Sequence, residues 1–318
     1  MTIQALELQE QQRLALQTRL DNAKTQAERN RLGQFATPTA LAVDILTYAK
    51  KILPKHHAVR FLDPAVGTGS FYSAFLRIFG ENSAVSSVGF DVDELYGNHA
   101  RKLWGEYGLV VRIEDFTKVI PPKNEVEKAT LVICNPPYVR HHHMPESEKK
   151  ILHAHVSRRC GISLSGLCGL YCYFLCLSRD WMAQGGLAAW LIPSEFMDVN
   201  YGRAVKEFLL NIVTLLNIHR FSPDDVQFGD ALVSSAIVWF KNEAPPPDHQ
   251  VRFSFGGSLL KPIKENNYSI EVLRKEKKWT SLLGAGVSKT ADNGNSHPVI
   301  GDFFDVKRGI ATGYPGPL

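Results

Sequence analysis

The sequence predicts an α/β fold: a mostly parallel sheet with helices on both faces. Three observations predict it. Between Gly33 and Phe240, short apolar runs alternate with longer stretches of helical periodicity, the pattern of strands joined by helical crossovers. A glycine turn, Gly67-Thr68-Gly69, stands between the first apolar run and the helical stretch after it. The last two apolar runs are joined by only about ten residues, Ser222–Ala231. That is too short for a crossover helix, so this edge is predicted to be an antiparallel hairpin.

The elements follow in order. Residues 1–32 place Leu6, Leu14, Leu16 and Leu20 among Gln, Arg and Glu, with no Gly or Pro before Gly33. This loosely amphipathic stretch predicts an N-terminal helical arm. Helices are predicted over Thr39–Lys51, Ser70–Phe79, Glu94–Tyr107, Leu167–Ala183 and Tyr201–Asn211. Strands are predicted over Val59–Leu62, Val85–Phe90, Leu109–Ile113, Thr130–Cys134, Gly186–Ile192, Leu215–Phe221 and Leu232–Phe240, seven in all. Within the fourth helix Cys168, Cys172 and Cys176 recur at i, i+4 and i+8, a spacing that places them on one packed face. The triplet Pro245–Pro247 marks an edge, and beyond it the chain is polar and weakly patterned. The expected division is therefore a helical arm (1–32), a main α/β domain (33–243) and a further segment (244–318).

Composition excludes several classes. The 318 residues are 44% hydrophobic, and 36 Lys and Arg stand against 32 Asp and Glu for a net charge of +4. That is neither a disordered nor a collagen-like chain. Five cysteines make no disulfide framework. No apolar run is long enough for a membrane span and no signal peptide opens the sequence, so the expected compartment is the cytoplasm. The net charge alone does not identify a nucleic-acid partner.

Chemistry concentrates at the ends of the predicted strands. Asp63-Pro64-Ala65-Val66-Gly67-Thr68-Gly69-Ser70 follows the first strand and opens a helix. Its glycines let the backbone turn sharply and approach a ligand beside a helix N-terminus. The second strand ends at Asp91, where such sheets place an acid that accepts from ribose hydroxyls; Asp93, two residues on, is placed to cap the next helix. The third strand ends at Glu114-Asp115-Phe116. Asp115 can accept from an adenine amino group or serve as a turn residue, and Phe116 can pack on a ring. The fourth strand runs into Asn135-Pro136-Pro137-Tyr138. Two prolines stiffen the chain there. The Asn135 amide oxygen and the Pro136 carbonyl are two acceptors side by side, suited to a planar NH₂ group, and Tyr138 adds a flat face.

D-P-A-x-G-T-G, an acid after the second strand and N-P-P-Y after the fourth, in this order, resemble the gamma-class adenine-specific DNA methyltransferases of restriction–modification systems. Gly33-Gln34-Phe35-Ala36-Thr37-Pro38 resembles that family's G-Q-F-x-T-P segment. Gly185-Gly186-Leu187, Ile192-Pro193-Ser194 and Phe228-Gly229-Asp230-Ala231-Leu232-Val233 also resemble family motifs, so the likeness covers roughly residues 30–240.

The resemblance implies a Rossmann-like methyltransferase fold with S-adenosylmethionine as cofactor. By similarity, Pro64, Ala65, Gly67 and Gly69 pass the cofactor, Asp63 orients that loop, Asp91 holds the ribose, and Asp115 with Phe116 holds the adenine. Thr37 and Pro38 sit at the methionine end. Asn135, Pro136, Pro137 and Tyr138 act on an adenine flipped out of the duplex. Tyr138 stacks on one face of that base and Tyr201 or Phe196 on the other. Residues 139–160 carry Arg140, Lys149, Lys150, Arg158 and Arg159 against Glu146 and Glu148, with five of the eleven histidines. They are expected to form a mobile basic loop whose Arg140, His141, Lys149, Lys150, Arg158 and Arg159 touch DNA phosphates. Three adjacent histidines point in different directions, so His141–His143 imply no metal.

Residues Ile300–Gly313 resemble the opening of a target-recognition domain, which the chain is then expected to hold only in part. Sequence choice on duplex DNA would come from the rest of that domain or from a separate specificity chain. N-P-P-Y also marks methyltransferases of release-factor glutamine and of RNA adenine, and a non-catalytic fragment needing a partner is a third reading. The Gly33–Pro38 segment favours DNA.

Overall fold

In the computed structural model, residues 2–54, 58–222 and 234–283 are described. The motif at Phe228–Val233 and the segment Ile300–Gly313 lie outside the described residues. Nine strands form one sheet: β1 (Val59–Asp63), β2 (Ala84–Asp91), β3 (Leu109–Ile113), β4 (Ala129–Cys134), β5 (Met182–Pro193), β6 (Thr214–Arg220), β7 (Ser235–Lys241), β8 (Gln250–Gly257) and β9 (Pro262–Ser269). Their spatial order is β3-β2-β1-β4-β5-β7-β6-β8-β9. β3, β2, β1, β4 and β5 are parallel neighbours, and β7 runs antiparallel between β5 and β6.

The helices are α1 (Ile3–Asn22), α2 (Gln26–Leu32), α3 (Thr39–Ile52), α4 (Ser70–Phe79), α5 (Glu94–Trp104), α6 (Glu146–Cys160), α7 (Leu170–Leu177), α8 (Gly202–Glu207), α9 (Ile270–Lys275) and α10 (Thr280–Leu283). They start and stop where local chemistry directs. Thr25 and Glu28 close a reciprocal capping box on α2, and Gly33 ends that helix in the left-handed conformation. Asp93 caps α5 by accepting from Leu95 N at 3.0 Å.

β4 explains the two-layer core. All six of its residues are buried, and alternate side chains leave opposite faces of the pleat. Leu131 and Ile133 join the cluster formed with α3, α4 and α5, whereas Val132 and Cys134 join that formed with α6, α7 and α8. A strand covered on both faces reads as a continuous apolar run, which is why Leu131–Cys134 is so marked in the sequence.

Several expectations are corrected. Among the described residues the sheet has nine strands, not seven, and the β6–β7 pair lies inside it rather than at its edge, because β8 pairs in parallel with β6. β9 then pairs antiparallel with β8. The sequence boundary at 243 therefore falls inside a sheet that continues to 269. β9 escaped notice because it is a polar strand with most of its side chains in water, so it lacks the period-two pattern. The predicted helix over Leu167–Ala183 contracts to α7, with a short turn at Ser178–Trp181 leading into β5. The predicted helix over Tyr201–Asn211 is α8 closed by a wide π-type turn, Phe208–Ile212. The basic loop expected over residues 139–160 is mostly the helix α6. All five cysteines are buried as free thiols.

Candidate active site

The C-terminal ends of β1, β2 and β4 and the residues following β3 open on one cleft of about 520 Å³, lined from the glycine turn, Asp91, Asp115, Phe116, Asn135 and Pro137. It lies where the order of a parallel sheet reverses, here beside β1 and β4, which is where folds of this class bind ligands.

The glycine turn is latched by the acid after β2. Gly67 N donates to Asp91 Oδ2 at 2.9 Å, and Asp91 Oδ1 accepts from Asp93 N at 2.8 Å. Asp91 lines the cleft, but both oxygens are already engaged by backbone, each keeping a lone pair for a ligand. Burial pushes its carboxyl up to about 6. Gly67 has φ +54°, and a Cβ there would meet no protein atom within 4 Å, so a side chain would occupy ligand space. Gly69 is different. Its φ is +87°, and a Cβ would lie 2.5 Å from Trp104 Cδ1. Gly69 does not line the cleft; it makes room for Trp104, whose Nε1 donates to Thr68 O at 2.8 Å.

Asp63 is 1% exposed. Its Oδ1 accepts from Ala65 N at 3.1 Å, a bond within the loop itself, and its buried Oδ2 meets no partner. Burial, with the Asp91 charge adding, pushes its carboxyl up to about 8. Pro64 and Ala65 line the cleft. Burial also acts to raise Asp115, but hydrogen bonds from Lys118 and Thr117 outweigh it and hold the carboxyl below the ordinary range. Phe116 packs beside it against Phe90 and Trp181, at ring separations of 5.5 and 5.3 Å.

Asn135 has the most defined geometry. Its Nδ2 donates to Phe35 O at 2.9 Å and to Thr37 Oγ1 at 3.1 Å. A carbonyl oxygen can only accept, so the amide's orientation is fixed. Its Oδ1 is then the free end, buried and without a protein partner. Thr37 and Pro38 do not line the cleft; Thr37 acts through Asn135, and Pro38 precedes α3. Gly33 O accepts from Tyr138 N at 3.1 Å, so the Gly33–Pro38 segment is bound to the Asn135–Tyr138 segment at two places.

The aromatic candidates separate. Tyr138 is 7% exposed, lies 5.6 Å from the Phe35 ring, and donates from its hydroxyl to Leu191 O at 3.0 Å. Phe196 is fully buried against Trp279; it is a core residue, not a stacking face. Tyr201 is half-buried, its hydroxyl donating to Glu195 and lying 3.3 Å from that of Tyr171. On α6, Lys149 is paired with Glu146 at 2.7 Å and Arg159 with Asp180 at 3.6 Å. Part of the expected cationic surface is therefore neutralised within the fold. His141–His143 form a short helical turn, and among the described residues no group of three or more His, Cys, Asp or Glu is arranged to hold a metal.

Sequence reasoning missed one wall altogether. Gln17 and Asp21 of α1 and Leu32 of α2 line the cleft, beside Gly33–Ala36 of the expected G-Q-F-x-T-P segment. Lys24 reaches across to Asp93 at 2.8 Å. The signal was weak because α1 docks with polar rather than apolar side chains.

Residues 90–227 match the family model of the Eco57I restriction-modification methylase. Over 300 residues the chain is 29% identical to the type II methyltransferase M.AccI of Acinetobacter calcoaceticus, covering 90% of this chain and 52% of that one. It is 27% identical over 293 residues to M.XamI of Xanthomonas campestris pv. amaranthicola, covering 90% and 53%. The chain is related to the restriction–modification methylases. It spans about half the length of those two relatives. Among solved structures, a class I S-adenosylmethionine-dependent methyltransferase from Listeria monocytogenes superposes with a TM-score of 0.61 at 19% identity, over 80% of this chain and 75% of that one. The type IIG restriction endonuclease BpuSI superposes with a TM-score of 0.63 at 16% identity, over 82% and 34%. The fold is thus that of the class I S-adenosylmethionine-dependent methyltransferases.

The cleft fits that cofactor. Its volume is in the range of small-molecule sites. The open Gly67 leaves room beside the loop, and Asp91 and Asp115 line the cleft with carboxylate oxygens to which hydroxyl and amino donors of a ligand can bond.

Proposed function

We propose that this restriction–modification methylase relative methylates DNA adenine, moving a methyl group from S-adenosylmethionine to the exocyclic amino group of a base flipped out of the duplex. The observation that carries this reading is the locked Asn135 amide, which presents a buried, unpartnered Oδ1 at the edge of the cleft. A buried acceptor with no partner is costly unless a ligand satisfies it, and an NH₂ group is the donor that suits it.

The residues then divide the work. Asp91 and Asp115 line the region in which the ribose and adenine of the cofactor would be held, with Phe116 beside the ring. Bound S-adenosylmethionine would supply an electrophilic methyl group on a sulfonium sulfur. Asn135 Oδ1 and the Pro136 carbonyl would accept the two amino hydrogens of the target adenine. That draws the nitrogen lone pair out of conjugation with the ring and stabilises the positive charge that develops on nitrogen. The prolines fix the acceptors before the base arrives, so orientation is built into the loop rather than acquired on binding. Tyr138 would flank the base on one side and Tyr201, at the surface end of its hydroxyl network, on the other. Extracting the base costs a few kcal/mol, which cationic groups such as Arg140 and Arg158 would help to meet through phosphate contacts. Sequence choice would rest with a recognition domain or a separate specificity chain.

The test is transfer of tritiated methyl from S-adenosylmethionine to adenine-containing duplex DNA, to RNA and to a release factor, in parallel. The reading predicts label in DNA as N6-methyladenine. Label confined to RNA or protein, or no label in any of the three, would overturn it.

A further inference from the structure

α1 is an odd helix. Of its 20 residues only Glu10, Arg13 and Leu20 are buried, with Leu6 packed at the margin of the core, so apolar burial is a small part of what seats it. The two charged residues form a fork: Arg13 Nε and Nη2 donate to the Glu10 carboxylate at 2.7 and 2.6 Å. The pair is then satisfied from three other elements. Ser73 of α4 donates to Glu10 at 2.6 Å, and Thr39 of α3 accepts from Arg13 at 3.1 Å. Thr68, between the two glycines of the turn, accepts from Arg13 Nη1 at 3.2 Å.

The network continues one turn along the helix. Thr68 Oγ1 donates to Gln17 Oε1 at 2.7 Å, Gln17 Nε2 donates to Asp21 Oδ1 at 2.8 Å, and the Tyr96 hydroxyl donates to the same oxygen at 3.2 Å. Residues 10, 13, 17 and 21 fall at i, i+3 and i+4 steps on one helix face, and the last two line the cleft. A polar key has stricter geometry than an apolar contact, so it sets the angle as well as the position of the helix.

We propose that α1 is a functional wall of the cofactor cleft: Gln17 and Asp21 contact the bound cofactor, and the buried Glu10–Arg13 pair is the positioning device that ties them to the glycine turn. This rests on the cleft being the cofactor site. Asp21 Oδ1 is already occupied by protein donors, leaving Oδ2 to accept from a donor on the ligand.

Calorimetric titration with S-adenosylhomocysteine tests this on the full chain. Gln17→Leu and Asp21→Asn should each weaken binding about tenfold, the loss of one hydrogen bond to a ligand, while the melting temperature without ligand falls by no more than a few degrees. The double variant E10L/R13M removes both charges together, so no ion is left buried alone. It should lose only a few degrees in melting temperature, as Thr39, Thr68 and Ser73 lose partners, yet bind about tenfold more weakly at a temperature where both proteins are fully folded, which a merely structural role would not produce. Binding equal to wild type in Gln17→Leu and Asp21→Asn would overturn the proposal. Absence of binding by the wild type would instead overturn the reading of the cleft itself, and the two failures are distinct.

Discussion

Gly33→Ala isolates the contact that aligns the two halves of the site. Gly33 has φ +65°, and a Cβ there would fall on Tyr138 N and lie 2.7 Å from both Tyr138 C and Val139 N. Forcing an L residue into the left-handed region costs roughly 1 kcal/mol. Overpacking adds roughly 1–3 kcal/mol, and the upper part applies because backbone atoms cannot rotate away. The sum, roughly 2–4 kcal/mol, corresponds to roughly 3–7 °C in melting temperature for a unit of this size. Gly161 is the control: its φ is +68° and nothing lies within 4 Å of a Cβ, so Gly161→Ala should show only the roughly 1 kcal/mol backbone cost. Gly33→Ala should also push Phe35 O away from Asn135, lowering methyl transfer about a hundredfold through misplacement. Thermal unfolding by circular dichroism and a labelled-methyl assay read the two effects. Equal melting temperatures for the two variants, or wild-type transfer by Gly33→Ala, would refute the reasoning.

Other outcomes follow from the same geometry. Burial lifts Asp63 to about 8 in the folded protein, against an ordinary value of 3.8. The folded state thus keeps a proton that the unfolded chain has released between about pH 4 and 8, and stability from this group falls as pH rises through that window; Asp63→Asn should flatten the melting-temperature slope there, and an unchanged slope would contradict the assignment. Phe196→Ala should cost about 3–5 kcal/mol in unfolding free energy as a buried aromatic, with transfer per folded molecule retained; a lost rate at full stability would return Phe196 to the base pocket. Tyr201→Leu should do the reverse, lowering transfer with little change in the melting curve.

The parallel half of the sheet was legible because its strands are covered on both faces and read as unbroken apolar runs, with Leu131–Cys134 the plainest. The loops at their ends were legible because glycine and proline have few other uses there, and Asp91, Asp115 and Asn135 do line one cleft, with Asp63 buried behind its loop. The finer roles were less so. A sequence does not tell a glycine that faces a ligand, such as Gly67, from one that faces a tryptophan, such as Gly69. Nor does it tell a buried Phe196 from a half-exposed Tyr201 five residues away. β9 was hidden because an exposed edge strand such as Pro262–Ser269 owes its place to backbone pairing, which leaves no apolar signature; β8 does carry one, Val251, Phe253 and Phe255 at alternate positions, but it lies beyond the Pro245–Pro247 edge where the chain reads as weakly patterned. The Glu10–Arg13 key was hidden because charged residues on a polar helix read as solvated until Thr68, Thr39 and Ser73 are brought around them.

The central claim is that Asn135 acts on the target amine and not on the cofactor. Asn135→Ala separates the two in one protein. Methyl transfer to duplex DNA should fall about 10²–10³-fold, the usual cost of removing one aligned electrostatic partner, while affinity for S-adenosylhomocysteine stays within about twofold of wild type. Turnover near the wild-type rate, or loss of cofactor affinity in step with loss of turnover, would contradict it.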